Sequence, residues 1–166
     1  MKAFEASDLP MIDGEVINDP AWKSILSASG FVQQSPDEGK SATEKTEVKI
    51  MFSDKNMYLA VICYHNDPEN IKILDARRDS PLDDMDSFIF IIDTFNDNQN
   101  GYAFGTNAAG IEYDAQITKG GEGGSMSRRF SAGAVGGYNI NWDASWSVKS
   151  LICLLYTSDA ADEHGC

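Results

Sequence analysis

Asp86-Ser87-Phe88-Ile89-Phe90-Ile91-Ile92-Asp93 sets the tightest limit on what this chain can become. Five consecutive β-branched or aromatic residues between aspartates are too few and too sharply bounded for a helix, and they suit a β-strand covered on both faces in the middle of a sheet. Such a strand needs neighbours. The sequence on either side supplies them as short apolar segments parted by turns.

Upstream, Met11-Ile12-Asp13-Gly14-Glu15-Val16 reads as a short strand broken by a turn-prone pair. Asp19-Pro20-Ala21-Trp22 then opens a short helix: Asp19 caps it, Pro20 fits the first position because its missing N–H needs no partner, and Trp22, Ile25 and Leu26 fall on one side. Trp22 at that spacing belongs to a core more readily than to an exposed platform. Residues 33–46 form a loop. Val48, Ile50 and Phe52 alternate with Glu47, Lys49 and Ser53 as a half-exposed strand, Ser53-Asp54-Lys55-Asn56 turns the chain, and Met57 to Tyr64 returns antiparallel as a strand apolar on both faces. Asp67-Pro68-Glu69 repeats the cap-then-proline device and predicts one helical turn.

Downstream, Asn96 to Gly101 consists of residues that tolerate left-handed dihedrals, so the opening strand turns there. Tyr102, Phe104 and Thr106 alternate with Ala103 and Gly105, Asn107-Ala108-Ala109-Gly110 turns again, and Ile111, Tyr113, Ala115 and Ile117 alternate with Glu112, Asp114 and Gln116 as a strand with one apolar face. Residues 118–141 hold seven of the 14 glycines and predict a long excursion rather than a strand pair. Within it, Gly120-Gly121-Glu122-Gly123-Gly124 lacks the Lys-Ser/Thr and helix start of a phosphate loop. Trp142, Ala144, Trp146 and Val148 alternate with Asp143, Ser145, Ser147 and Lys149 as a last strand, its apolar face inward.

Charge narrows the partners. With 13 basic against 26 acidic residues the net charge is −13, and nucleic-acid binding, which depends on a basic footprint, is not expected. No apolar run follows the N-terminus and no window reaches transmembrane length, so neither a signal peptide nor direct membrane insertion is read here. The run Cys153 to Glu163 resembles the translated sequence of a transposase adaptor used to prepare sequencing libraries. On that reading residues 1–150 are an incomplete domain from a gene fragment, 151–166 are a non-native tail, and Cys63 is the one remaining cysteine, a small buried thiol in a strand.

The order of parts resembles the family 9 carbohydrate-binding module. The resemblance rests on Ile12-Asp13-Gly14, Pro20-Ala21-Trp22, Thr46-Glu47-Val48-Lys49-Ile50, Tyr58-Leu59-Ala60-Val61, Asp86 to Asp93 and Gly101-Tyr102. It covers roughly residues 9–150. The nearest variant stands at the N-terminus of large outer-membrane-associated bacterial proteins, and Arg77-Arg78-Asp79, Ile92-Asp93-Thr94 and Asn107 to Gly110 carry that likeness. The resemblance implies an all-β, antiparallel, jelly-roll-like β-sandwich with one or two short helices, here truncated at its C-terminus. It also implies sugar binding, structural calcium and a periplasmic or outer-membrane-associated place in the cell envelope. Where xylanase-linked members carry a tryptophan and a glutamate for the sugar, this chain has Asp83 and Ile89, so the fold is carried over and those contacts are not.

Three functions follow in order of expectation. The first is a non-catalytic carbohydrate-binding domain of a larger cell-envelope protein, with Arg77, Arg78, Asp84 and Asp86 as polar ligand contacts on a loop beside the sheet. The second is a structural or docking domain that has lost the sugar site and binds a partner domain of the same protein. The third, a glycoside hydrolase, would draw on Asp84, Asp86 and Asp93, but two arginines beside these acids work against the raised pKa an acid catalyst needs. Asp93, Asn96, Asp97 and Asn98 place four hard oxygen donors in one turn, the candidate calcium ligands.

Overall fold

The computed structural model describes residues 2–121 and 137–153. The tail reading, most of the glycine-rich excursion and all but the first two residues of the Gly120–Gly124 run therefore lie outside the described residues. What is described is all-β, with two antiparallel-rich sheets as in a β-sandwich, no closed barrel and only single 3₁₀ turns for helices. The chain divides into two compact units, Met1–Glu69 with Ile152–Cys166, and Asn70–Leu151.

In the first unit β1 (Phe4–Glu5), β2 (Thr46–Phe52) and β3 (Met57–Cys63) make a sheet in that order. The β2–β3 hairpin pairs seven residues on each strand, from Thr46↔Cys63 to Phe52↔Met57, and closes through Ser53 N–H to the Asn56 carbonyl at 2.8 Å. Alternation places Val48 on one face and Met51 on the other, and both are buried, because Met51 meets a cluster of Trp22, Ile25 and Ala60. That cluster depends on the predicted cap. Asp19 Oδ1 accepts from the Ala21 amide at 2.9 Å with Pro20 beside it, but the helix is one 3₁₀ turn, Pro20–Trp22. A tighter turn does not keep 3.6-residue spacing. Trp22 and Ile25 are therefore buried while Leu26 is 73% exposed. The strand expected at Met11–Val16 is absent. Asp13 and Glu15 accept from the amides of Glu15, Ile17 and Asn18, and such local bonds compete with a ladder. Cys63, at the end of β3, is exposed rather than buried.

In the second unit β4 (Ser87–Ile92), β5 (Gly101–Asn107), β6 (Tyr113–Ile117) and β7 (Tyr138–Asn139) form a meander in sequence order. The expected three-strand run and both turns are present. β4, however, is an edge strand among the described residues and not a central one; none of its residues is fully buried and Ile91 is 59% exposed. The centre of the sheet is β5 and β6. β7 pairs Tyr138 with Ile117, so the end of the glycine-rich stretch does add a short strand. On one face Leu82, Ala103, Ile111, Tyr113, Ala115 and Tyr138 form the core, with Ile89 packed against it. A Cβ on Gly105 would meet Leu82 Cδ1 at 2.5 Å, so Leu82 closes on the sheet only because β5 has no side chain there. Burial and the neighbouring Tyr138 push the Tyr113 phenol well above its ordinary range. Pro68–Asn70 is the expected single turn.

Candidate functional site

The other face of this second sheet is aromatic. Register puts Phe88, Phe90 and Ile92 of β4 opposite Thr106, Phe104 and Tyr102 of β5, all on that face and all half-buried. Phe90 stacks on Phe104 with ring centroids 5.3 Å apart. Across them runs the segment 142–150, which keeps the expected alternation of burial, with Trp142, Ala144, Trp146 and Val148 half-buried, but belongs to no strand. Trp142 stacks on Tyr102 at 4.4 Å, and Trp146 meets Phe104 edge-on at 5.3 Å. At its far end the Ser150 hydroxyl donates to the Asn107 carbonyl.

One charged group ties this segment down. Asp114, opposite Phe104 on β6, is fully buried, against its expected outward position. Its Oδ2 accepts from Arg78 Nη2 and from Trp146 Nε1, both at 2.8 Å, and its Oδ1 from the Ala144 amide at 3.3 Å. Arg78 also contacts Asp79, Glu112 and Asp143. A buried carboxylate is tolerable only when paired and hydrogen-bonded, and all three donors aim at this one. Burial first, then the charges of Asp114 and Asp143, push the Asp79 carboxyl above its usual range against the pull of Arg78.

The four loop residues expected to meet a ligand each have a different occupation. Arg77 pairs with Asp75 at 2.6 Å and, by its side chain and amide, holds that carboxyl well below the ordinary range. Arg78 serves the Asp114 cluster. Asp86 accepts from the Lys72 amide at 2.7 Å. Asp84 is an exposed turn residue with φ of 62°.

The turn between β4 and β5 organises itself around two carboxylates. Asp93 accepts from the amides of Phe95, Asp97 and Asn98. Asp97 accepts from Gln99, Asn100 and the Asn100 side chain, which keeps its carboxyl below the ordinary value, while Asn96 and Asn98 take left-handed φ of 53° and 56°. Both carboxylates of the candidate calcium set, Asp93 and Asp97, accept from amides of the turn, and among the described residues no group of three or more acidic, histidine or cysteine side chains is arranged for a metal. Asp93→Ala is expected to loosen the turn by about 0.5–1.5 kcal/mol, the net worth of intramolecular bonds that water can replace at this exposed turn. Faster amide exchange at Asp97 and Asn98 would report it, and unchanged exchange would contradict it.

Beside that turn lies an open cleft of about 290 Å³ lined by Phe95, Asp97, Asn100, Tyr102, Gln116 and Thr118 among others. Phe95 is 66% exposed, and Tyr102 is backed by the Trp142 ring. Aromatic surface therefore adjoins a polar rim of amides, a hydroxyl and an ionised carboxylate. No single stretch of sequence encodes this cleft, since its lining comes from the turn, β5, β6 and the residues just after it. Only the register, which sets Gln116 opposite Tyr102, brings these side chains together. Compared with protein-family models, with curated proteins and with solved structures, the chain matches none.

Proposed function

We propose that this domain binds carbohydrate without catalysis, at the cleft between the Asp93–Asn100 turn and the ends of β5 and β6. The observation that carries the reading is the pairing of an exposed aromatic, Phe95, and a stacked one, Tyr102, with Asp97, Asn100, Gln116 and Thr118 in one concave surface. A pyranose ring offers an apolar C–H face and a rim of hydroxyls, and a site for it needs aromatic surface beside convergent donors and acceptors. The resemblance to carbohydrate-binding modules supports the same class of ligand and a setting in a larger cell-envelope protein. No helix among the described residues is long and apolar enough to cross a membrane.

Titration calorimetry against mono- and oligosaccharides is expected to give millimolar to micromolar binding. Phe95→Ala should weaken it about two- to tenfold, the range set by one aromatic contact. Absence of heat for every sugar at millimolar concentration would remove the proposal. A docking role is the second reading, favoured by one observation: Arg77, Arg78 and Asp86 are all engaged within their own unit. It would gain if sugars fail while substitutions on the aromatic face abolish capture of a partner domain.

A further inference from the structure

Residues 142–150 lie on the aromatic face without a β-ladder, and their polar attachment converges on a single carboxylate. The three groups hydrogen-bonded to the Asp114 carboxylate are all donors, the Arg78 guanidinium, the Trp146 indole N–H and the Ala144 amide, while Asp79 lies near it as a second acid. A protonated carboxyl must donate as well as accept, and this site offers no acceptor among those three groups. Protonation also cancels the attraction to Arg78, whose remaining direct tie to the segment is Asp143, a residue 78% exposed and so a weak contact.

We propose that Arg78 and Asp114 form an acid-sensitive latch. With Asp114 ionised, the segment is closed and Trp142 backs Tyr102; with Asp114 protonated, the segment leaves the sheet and the cleft loses the support of its floor. The effect on ligand binding rests on the carbohydrate reading above, whereas the latch itself does not.

Charged groups surround the latch on several sides. Asp79 and Arg78 face Asp114 from the loop before β4, Glu112 from just ahead of β6 and Asp143 from the segment itself, while β5 presents the uncharged Phe104. Asp79 is held above its usual range by burial and by the acids around it. Protonation of Asp79 leaves the three bonds to Asp114 in place, so the latch itself turns on the charge of Asp114.

The test is fluorine NMR of the whole chain carrying 5-fluorotryptophan, whose three resonances are assigned with single Trp→Phe variants. Between about pH 8 and pH 2, a span that brackets the ordinary aspartate value on both sides, the Trp142 and Trp146 signals are expected to move together to the position of a solvated indole while Trp22 stays. Amide exchange over 142–150 should accelerate on the order of tenfold or more as the segment opens locally. Asp114→Asn, which keeps the size and removes the charge, should show the released signals at neutral pH. Signals of Trp142 and Trp146 that stay fixed, or all three moving in one cooperative transition, would overturn the latch. So would an Asp114→Asn protein with wild-type signals and an unchanged pH response; if that variant does not fold, the wild-type titration still decides. Sugar affinity followed over the same range separates the two claims: released tryptophans with undiminished binding would leave the latch standing and detach it from the cleft.

Discussion

Arg78→Met is expected to destabilise the second unit by about 2–4 kcal/mol, slightly below the usual cost of breaking a buried ion pair because the guanidinium is 38% exposed. The damage comes from what remains. Asp114 has no exposure at all, and without Arg78 its charge keeps only the indole and amide donors. Methionine fills similar volume, so lost packing contributes little. Denaturant unfolding with Arg78→Met, Asp114→Asn and the pair together isolates the coupling, and the double variant should recover a good part of the single loss because no unpaired charge is left. Simple additivity would show that the two side chains do not act as a unit.

Trp22→Ala is expected to cost the first unit about 3–5 kcal/mol, the range for removing a large buried aromatic. Trp22 is 3% exposed and packs with Ile25, Met51 and Ala60, and its carbonyl also holds the Lys49 ammonium at 2.9 Å. Truncation opens a cavity at the centre of a small cluster, against which Phe4, Val16 and Tyr58 also pack. Loss of amide protection along β2 and β3 would report the effect. Protection within a few tenths of a kcal/mol of wild type would mean that the tryptophan is not the anchor of this core.

Much of the fold is legible in local sequence because alternation and turn chemistry act over a few residues. The β2–β3 hairpin, the β4–β5–β6 meander, the Asn107–Gly110 turn and the Asp19–Pro20 cap all follow from such signals. What escapes depends on distant partners. Asp114 reads as solvent-facing by alternation, yet it is buried because Arg78, 36 residues away, and Trp146, 32 residues away, supply its donors. Phe88 to Ile92 read as doubly covered. Among the described residues they form an edge strand instead, with aromatics on one face half-covered by an extended segment.

The 142–150 segment shows the same limit from the other side. Its two-residue period predicts extended backbone with alternate residues inward, which is observed. Period cannot say whether the backbone groups pair with a neighbour, and here side chains hold the segment instead. The candidate site was legible only in part: the Asp93–Asn100 turn stands out by composition, but its joining with Gln116 and Thr118 is a matter of register. Ile89, in the middle of β4, packs against the core face.

The most direct test of binding at that cleft is an amide NMR titration of the chain with the sugar that calorimetry selects. Shifts confined to Phe95–Tyr102 and Gln116–Thr118, growing with sugar and saturating, are the expected result. Shifts centred on Arg77–Asp86 instead, or none at saturating sugar, would contradict it.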